Sequence, residues 1–135
     1  MVYKEGNYSF IAGLTNYTDE EIVTDLKSHI DEMLSEGVGD DFEITTLGVI
    51  GSRAKGDDSS DLDVVIEYKG DYREDDVFEA LNSDSLFIDD IEVDFIPFSV
   101  NKGNEIKYQP FYNEMIVLYE NEPIIKERDN WLERS

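Results

Sequence analysis

The chain has 135 residues, 40% of them hydrophobic and 12% aromatic, enough for one core over residues 1–135 and too few for two domains of ordinary size. Eleven basic residues stand against thirty-three acidic ones, a formal net charge of −22, so most of the surface repels nucleic acid and anionic membrane, and direct nucleic-acid binding is not expected. With no cysteine and one histidine, disulfide frameworks, thiolate sites and zinc chemistry have almost no ligands to draw on.

Met1 to Phe10 lacks a basic region followed by an apolar stretch, so no signal peptide is expected and the reading is cytoplasmic. Thr18-Asp19-Glu20-Glu21 reads as a capping box. Ile22, Leu26, Ile30, Met33 and Leu34 follow at helical spacing, and Gly37 and Gly39 stop the pattern, which predicts a helix over 18–36. His29 falls in that helix and is expected at the surface or half-buried.

Ile44 to Ile50 reads as a strand ending at Gly51, and Leu62 to Tyr68 as a second. Val77, Phe78 and Leu81 give a short helix over 72–82. Ile91 to Phe98 is a third strand, in which Pro97 points to an edge or a strand end. Met115 to Tyr119 fits a strand or part of a helix, and is too short to span a bilayer. Ile124, Ile125, Trp131 and Leu132 fit a closing helix docked on the sheet.

The chemistry lies between these elements. Residues two apart in a strand share a face, so Asp61 and Asp63 stand on one side, roughly 6.6 Å apart, while Leu62, Val64 and Ile66 turn into the core. Asp94 lies opposite Val93 and Phe95 in the later strand. Glu92 shares its face and is a less favoured third ligand. Neighbouring carboxylates repel unless a proton or cation neutralises them, and a hard divalent ion with oxygen ligands does so. Gly51-Ser52 ends a strand and offers backbone amides to a phosphate, with Arg53 and Lys55 as a local basic pair. Gly51 to Gly56 opens like a Walker A loop, but Asp57-Asp58 follow where Lys-Ser/Thr would be needed, so that reading is rejected.

Together, Ile50-Gly51-Ser52-Arg53-Ala54-Lys55-Gly56, Asp61-Leu62-Asp63 and Asp94 resemble the DNA polymerase beta-like nucleotidyltransferase superfamily, in particular its minimal single-domain members. The resemblance covers about residues 44–98. It implies an α/β (α+β) fold, a mixed β-sheet with helices packed on one side. It also implies transfer of a nucleoside monophosphate, AMP from ATP, to a hydroxyl on a protein or RNA acceptor. By that resemblance Gly51 and Ser52 would hold the triphosphate, and Asp61 and Asp63 would ligate one or two Mg2+ ions with Asp94 completing the metal site; Arg53 and Lys55, the local basic pair, are expected to join in nucleotide binding. Asp94 would also help deprotonate the acceptor. Minimal members of the family often act with a helical partner, frequently a toxin RNase of the HEPN type that they neutralise. Only eight residues, Arg53 to Ser60, separate Gly-Ser from Asp61, slightly fewer than is usual in the family. The alternative is therefore a catalytically weak or inactive protein of the same fold that blocks a basic partner through its acidic surface.

Overall fold

A computed structural model of the chain describes residues 8–57 and 60–121. The closing helix expected around residues 124–132 lies outside them. Helix α1 spans Asp19–Gly37 and starts on the expected capping box. The Thr18 hydroxyl accepts from the Glu21 N–H at 3.1 Å, and the Glu21 carboxylate accepts from the Thr18 N–H at 2.9 Å. The stripe Ile22, Leu26, Ile30, Met33 and Leu34 is buried as the spacing requires. At its end α1 meets helix α2, Glu74–Leu81. A Cβ on Gly37 would stand 2.7 Å from that of Ala80, so only glycine permits this approach. His29 departs from expectation. It is 8% exposed, stacked on Phe95 at 5.3 Å between ring centroids, with Nε2 3.2 Å from the Leu81 carbonyl. It turns inward because it lies one residue before Ile30 on the stripe, and its ring finds both an aromatic face and an acceptor there.

Among the described residues, five strands form one sheet: β1 (Glu43–Ile50), β2 (Leu62–Lys69), β3 (Leu86–Ile88), β4 (Ile91–Ser99) and β5 (Ile116–Glu120). Their order is β3-β4-β2-β1-β5. β2 and β4 run parallel, and every other neighbouring pair is antiparallel. Leu47, Val49, Leu62, Val64, Ile66, Val93 and Phe95 share one buried cluster with the apolar stripes of α1 and α2. The architecture is thus the expected mixed sheet with helices on one face. The apolar run near Met115 resolves as strand β5, paired with β1. Among the described residues, no helix is long and apolar enough to cross a membrane.

β3 was not anticipated, because three residues between polar turns give no periodicity. Its hairpin to β4 turns through Asp89 and Asp90, both left-handed at φ 53° and 66°. That is the geometry of a type I′ turn, which favours Asn-Gly. Asp90→Gly should therefore raise the unfolding free energy by about 0.5–1 kcal/mol, the left-handed penalty less the added freedom of the unfolded chain. A urea midpoint that stays put or falls would count against this assignment of strain.

β3 pairs β4 only at Ile91, Glu92 and Val93, and the rest of that edge is closed by other means. The Asn82 side chain donates to the Phe95 carbonyl at 3.1 Å and accepts its N–H at 3.2 Å. Glu74 accepts the Ser99 N–H at 2.7 Å. Pro97, two residues from each, faces the same edge with no N–H to satisfy.

Candidate functional site

The loop after β1 and the starts of β2 and β4 meet at one end of the sheet, on the face away from the helices. Ile50 pairs with Asp63, and Asp63 pairs in turn with Asp94. Adjacent strands lie about 4.8 Å apart, so both carboxylates rise from neighbouring positions on that face. Leu62, Val93 and Phe95 beside them are buried on the opposite face, which fixes the direction of both aspartates. Asp61, exposed just before β2, completes the group.

Asp63 and Asp94 both feel their surroundings. Burial raises Asp63 above the ordinary carboxylate range, and the charge of Asp61 raises it further. Asp94 is raised by burial first, then by the charges of Asp61, Asp63 and Glu92, and by a hydrogen bond with Asp61. Glu92 is close enough to act on Asp94, but its carboxylate accepts from the Ser85 hydroxyl at 3.2 Å. Among the described residues, no three His, Cys, Asp or Glu side chains form a ready-made metal cage. The donor set here is all oxygen, which suits a hard ion. Magnesium in particular is usually held by one or two carboxylates, its remaining positions filled by water and substrate phosphates.

Gly51 carries the chain from β1 into a short 3-10 turn, Ser52–Lys55, with φ 81° and ψ −156°. A Cβ there would lie 2.8 Å from Asp63 Oδ2, so the backbone runs directly beside the carboxylate. Both facts demand glycine. Gly51→Ala should lose about 1–3 kcal/mol through the strained backbone and displace Asp63. Thermal unfolding reads the first effect, and a wild-type melting curve would refute it.

Both members of the basic pair have partners within the chain. Arg53 is only 6% exposed and does not project toward solvent. Its Nε donates to the Ser60 carbonyl and its Nη1 to the Ala12 carbonyl, each at 2.6 Å. The Ala12 N–H returns a bond to the Arg53 carbonyl at 3.1 Å. Arg53 thus pins the far end of its own loop and the segment before α1. Five donors in a rigid fork suit it to bind several carbonyls at once. No sequence signal distinguishes such an arginine from a phosphate ligand. Lys55 is largely exposed, and its ammonium pairs with Glu114 at 3.0 Å. Gly51 stands beside the Asp63 carboxylate, and Ser52 follows it as the first residue of the 3-10 turn.

The model of the nucleotidyltransferase domain family matches residues 31–127. The chain belongs to that family. The match takes in every element from the second half of α1 through β5, and with them the turn at Gly51 and all three aspartates. No curated protein matches the chain. Among solved structures, a candidate nucleotidyltransferase from Sulfolobus solfataricus is similar, at 19% identity and a TM-score of 0.43. That likeness covers 76% of this chain and 84% of the other.

Proposed function

We propose that the domain transfers a nucleoside monophosphate, AMP from ATP, to an acceptor hydroxyl with the help of one or two Mg2+ ions. The observation that carries this reading is the grouping of Asp61, Asp63 and Asp94 on one sheet face, against the backbone of Gly51. Asp61 and Asp63 would hold the metal, and Asp94 would share in it. A divalent ion held there would supply charge neutralisation to the triphosphate and to an in-line displacement.

The chain's own residues supply the remainder. Gly51 has no side chain between backbone and phosphate, and the Ser52 hydroxyl adds a donor beside it. Asp94, held above the usual carboxylate range, is suited to take the proton of the acceptor hydroxyl. Arg53 keeps the loop after Ser52 in place, so the cradle meets the carboxylates in one geometry. Catalysis in such a site rests on positioning and charge.

Equilibrium binding tests this directly. ATP should bind in Mg2+ and lose most of its affinity in chelator, and UTP, GTP and CTP in parallel report the base preference. Binding that ignores the metal would sink the proposal.

The formal charge of −22 favours a second reading, in which the same fold blocks a basic partner, such as a helical toxin, without chemistry. Association that persists in Asp61→Ala/Asp63→Ala, yet weakens with salt, would select it.

A further inference from the structure

The sheet order gives the proposed reaction a direction. Gly51 and Ser52 lie just after β1, Asp61 just before β2 and Asp63 on it, and Asp94 on β4. In an in-line displacement the attacking oxygen approaches from the side opposite the leaving group. If pyrophosphate departs toward Gly51-Ser52, the acceptor comes from across β4. A cavity of ≈ 400 Å³ opens on that side. Asp63, Asp94, Glu92, Asp84, Ser85 and Phe78 are among its lining residues. It exists because β3 begins opposite Val93, leaving a notch between the end of α2 and the start of β3. Phe78 stands beside that notch 49% exposed, although the other apolar residues of α2, Val77, Ala80 and Leu81, are buried.

We infer that this notch is the acceptor passage, and that it takes the hydroxyl-bearing side chain of a cationic polypeptide. This rests on the nucleotidyl-transfer reading and adds to it the acceptor's class and route. Four carboxylates line the passage, with no Lys, Arg or His among its lining residues. The metal would neutralise part of the charge of Asp63 and Asp94, but Asp84 and Glu92 would still repel each phosphate of an RNA strand drawn past them and attract Lys or Arg beside the acceptor. Phe78 offers an apolar and π surface to the same chain, including its cations. In the reaction, the acceptor oxygen bonds to the α-phosphorus as the bond from that phosphorus to the bridging oxygen breaks. Pyrophosphate leaves with the electron pair, and the hydroxyl proton passes to Asp94.

The test is an NMR titration of the 15N-labelled full chain with Mg2+ and α,β-methylene-ATP. Three probes are compared: a Lys/Arg-flanked peptide carrying Ser and Tyr, the same peptide flanked by Asp/Glu, and a short single-stranded RNA. The cationic peptide should shift the amides of Phe78, Asp84, Ser85 and Glu92 and bind about tenfold tighter than either other probe. Phe78→Ala and Asp84→Lys should each weaken it about tenfold while leaving nucleotide affinity unchanged. Shifts confined to other acidic faces, equal binding of RNA, or variants that bind the peptide like wild type would overturn the inference. Repeating the peptide titration without nucleotide separates the two claims. Failure to bind Mg2+–nucleotide counts against nucleotidyl transfer, and failure of the peptide to reach the notch counts against the passage.

Discussion

Asp63→Asn should lower nucleotidyl transfer by about 10³-fold, the scale of losing one charge-stabilising group in such a site. In metal-free buffer near pH 7 the same change should raise the melting temperature. The two effects share a cause. Asp63 and Asp94 titrate above their ordinary value in the folded chain. A raised carboxylate binds its proton more tightly folded than unfolded, so its stabilising contribution is complete below the unfolded pKa. That contribution is lost as pH rises through the folded one. At neutral pH the metal-free protein therefore carries a partly buried charge, set beside that of Asp61, which asparagine removes. The stability gap between variant and wild type should widen as pH rises above about 4, the unfolded carboxylate range. Mg2+ with nucleotide should close it by stabilising only the wild type, by about 2.7 kcal/mol at a hundredfold excess over Kd. Melting curves across pH, with and without Mg2+–ATP, check each part. A variant that melts below wild type in chelator would show that the aspartates are not in conflict.

Arg53→Met should destabilise the fold by about 3 kcal/mol, a fall in melting temperature of roughly 10 °C for a chain of this size. Methionine can fill the space but donates nothing, so the Ala12 and Ser60 carbonyls lose their charged donor. Both the segment before α1 and the far end of the Gly51–Ser60 loop would come loose together. Arg53→Lys should recover part of the loss, since one ammonium cannot repeat the guanidinium's two-sided grip. A variant that keeps full stability and loses only phosphate affinity would make Arg53 a phosphate ligand and not a brace.

Much of this fold was written in local pattern. The capping box, the stripe from Ile22 to Leu34 and the alternation in Leu62–Ile66 report burial directly, and the helices and strands follow them to within about two residues. The shared face of Asp61, Asp63 and Asp94 was also legible, since strand alternation determines it once the parallel pairing of β2 with β4 is known. What escaped depends on partners distant in sequence. Arg53 looks like any loop cation until Ala12, forty-one positions away, is found against it. β3 exists because Leu86 and Ile88 find Val93 and Ile91 across the Asp89-Asp90 turn. The inward turn of His29 required Phe95 and Leu81. The notch beyond β4 has no signature in the sequence, because it is space left by the shortness of a strand.

The plugging of β4 bears on how another polypeptide can engage this molecule. Where Asn82, Pro97 and Glu74 occupy or remove the outward hydrogen-bonding groups, an incoming chain finds no ladder to extend. Recognition along that border has to be made with side chains, one residue at a time. A visitor would thus be chosen for what it carries at a few positions, and identical molecules would not zip together there at high concentration.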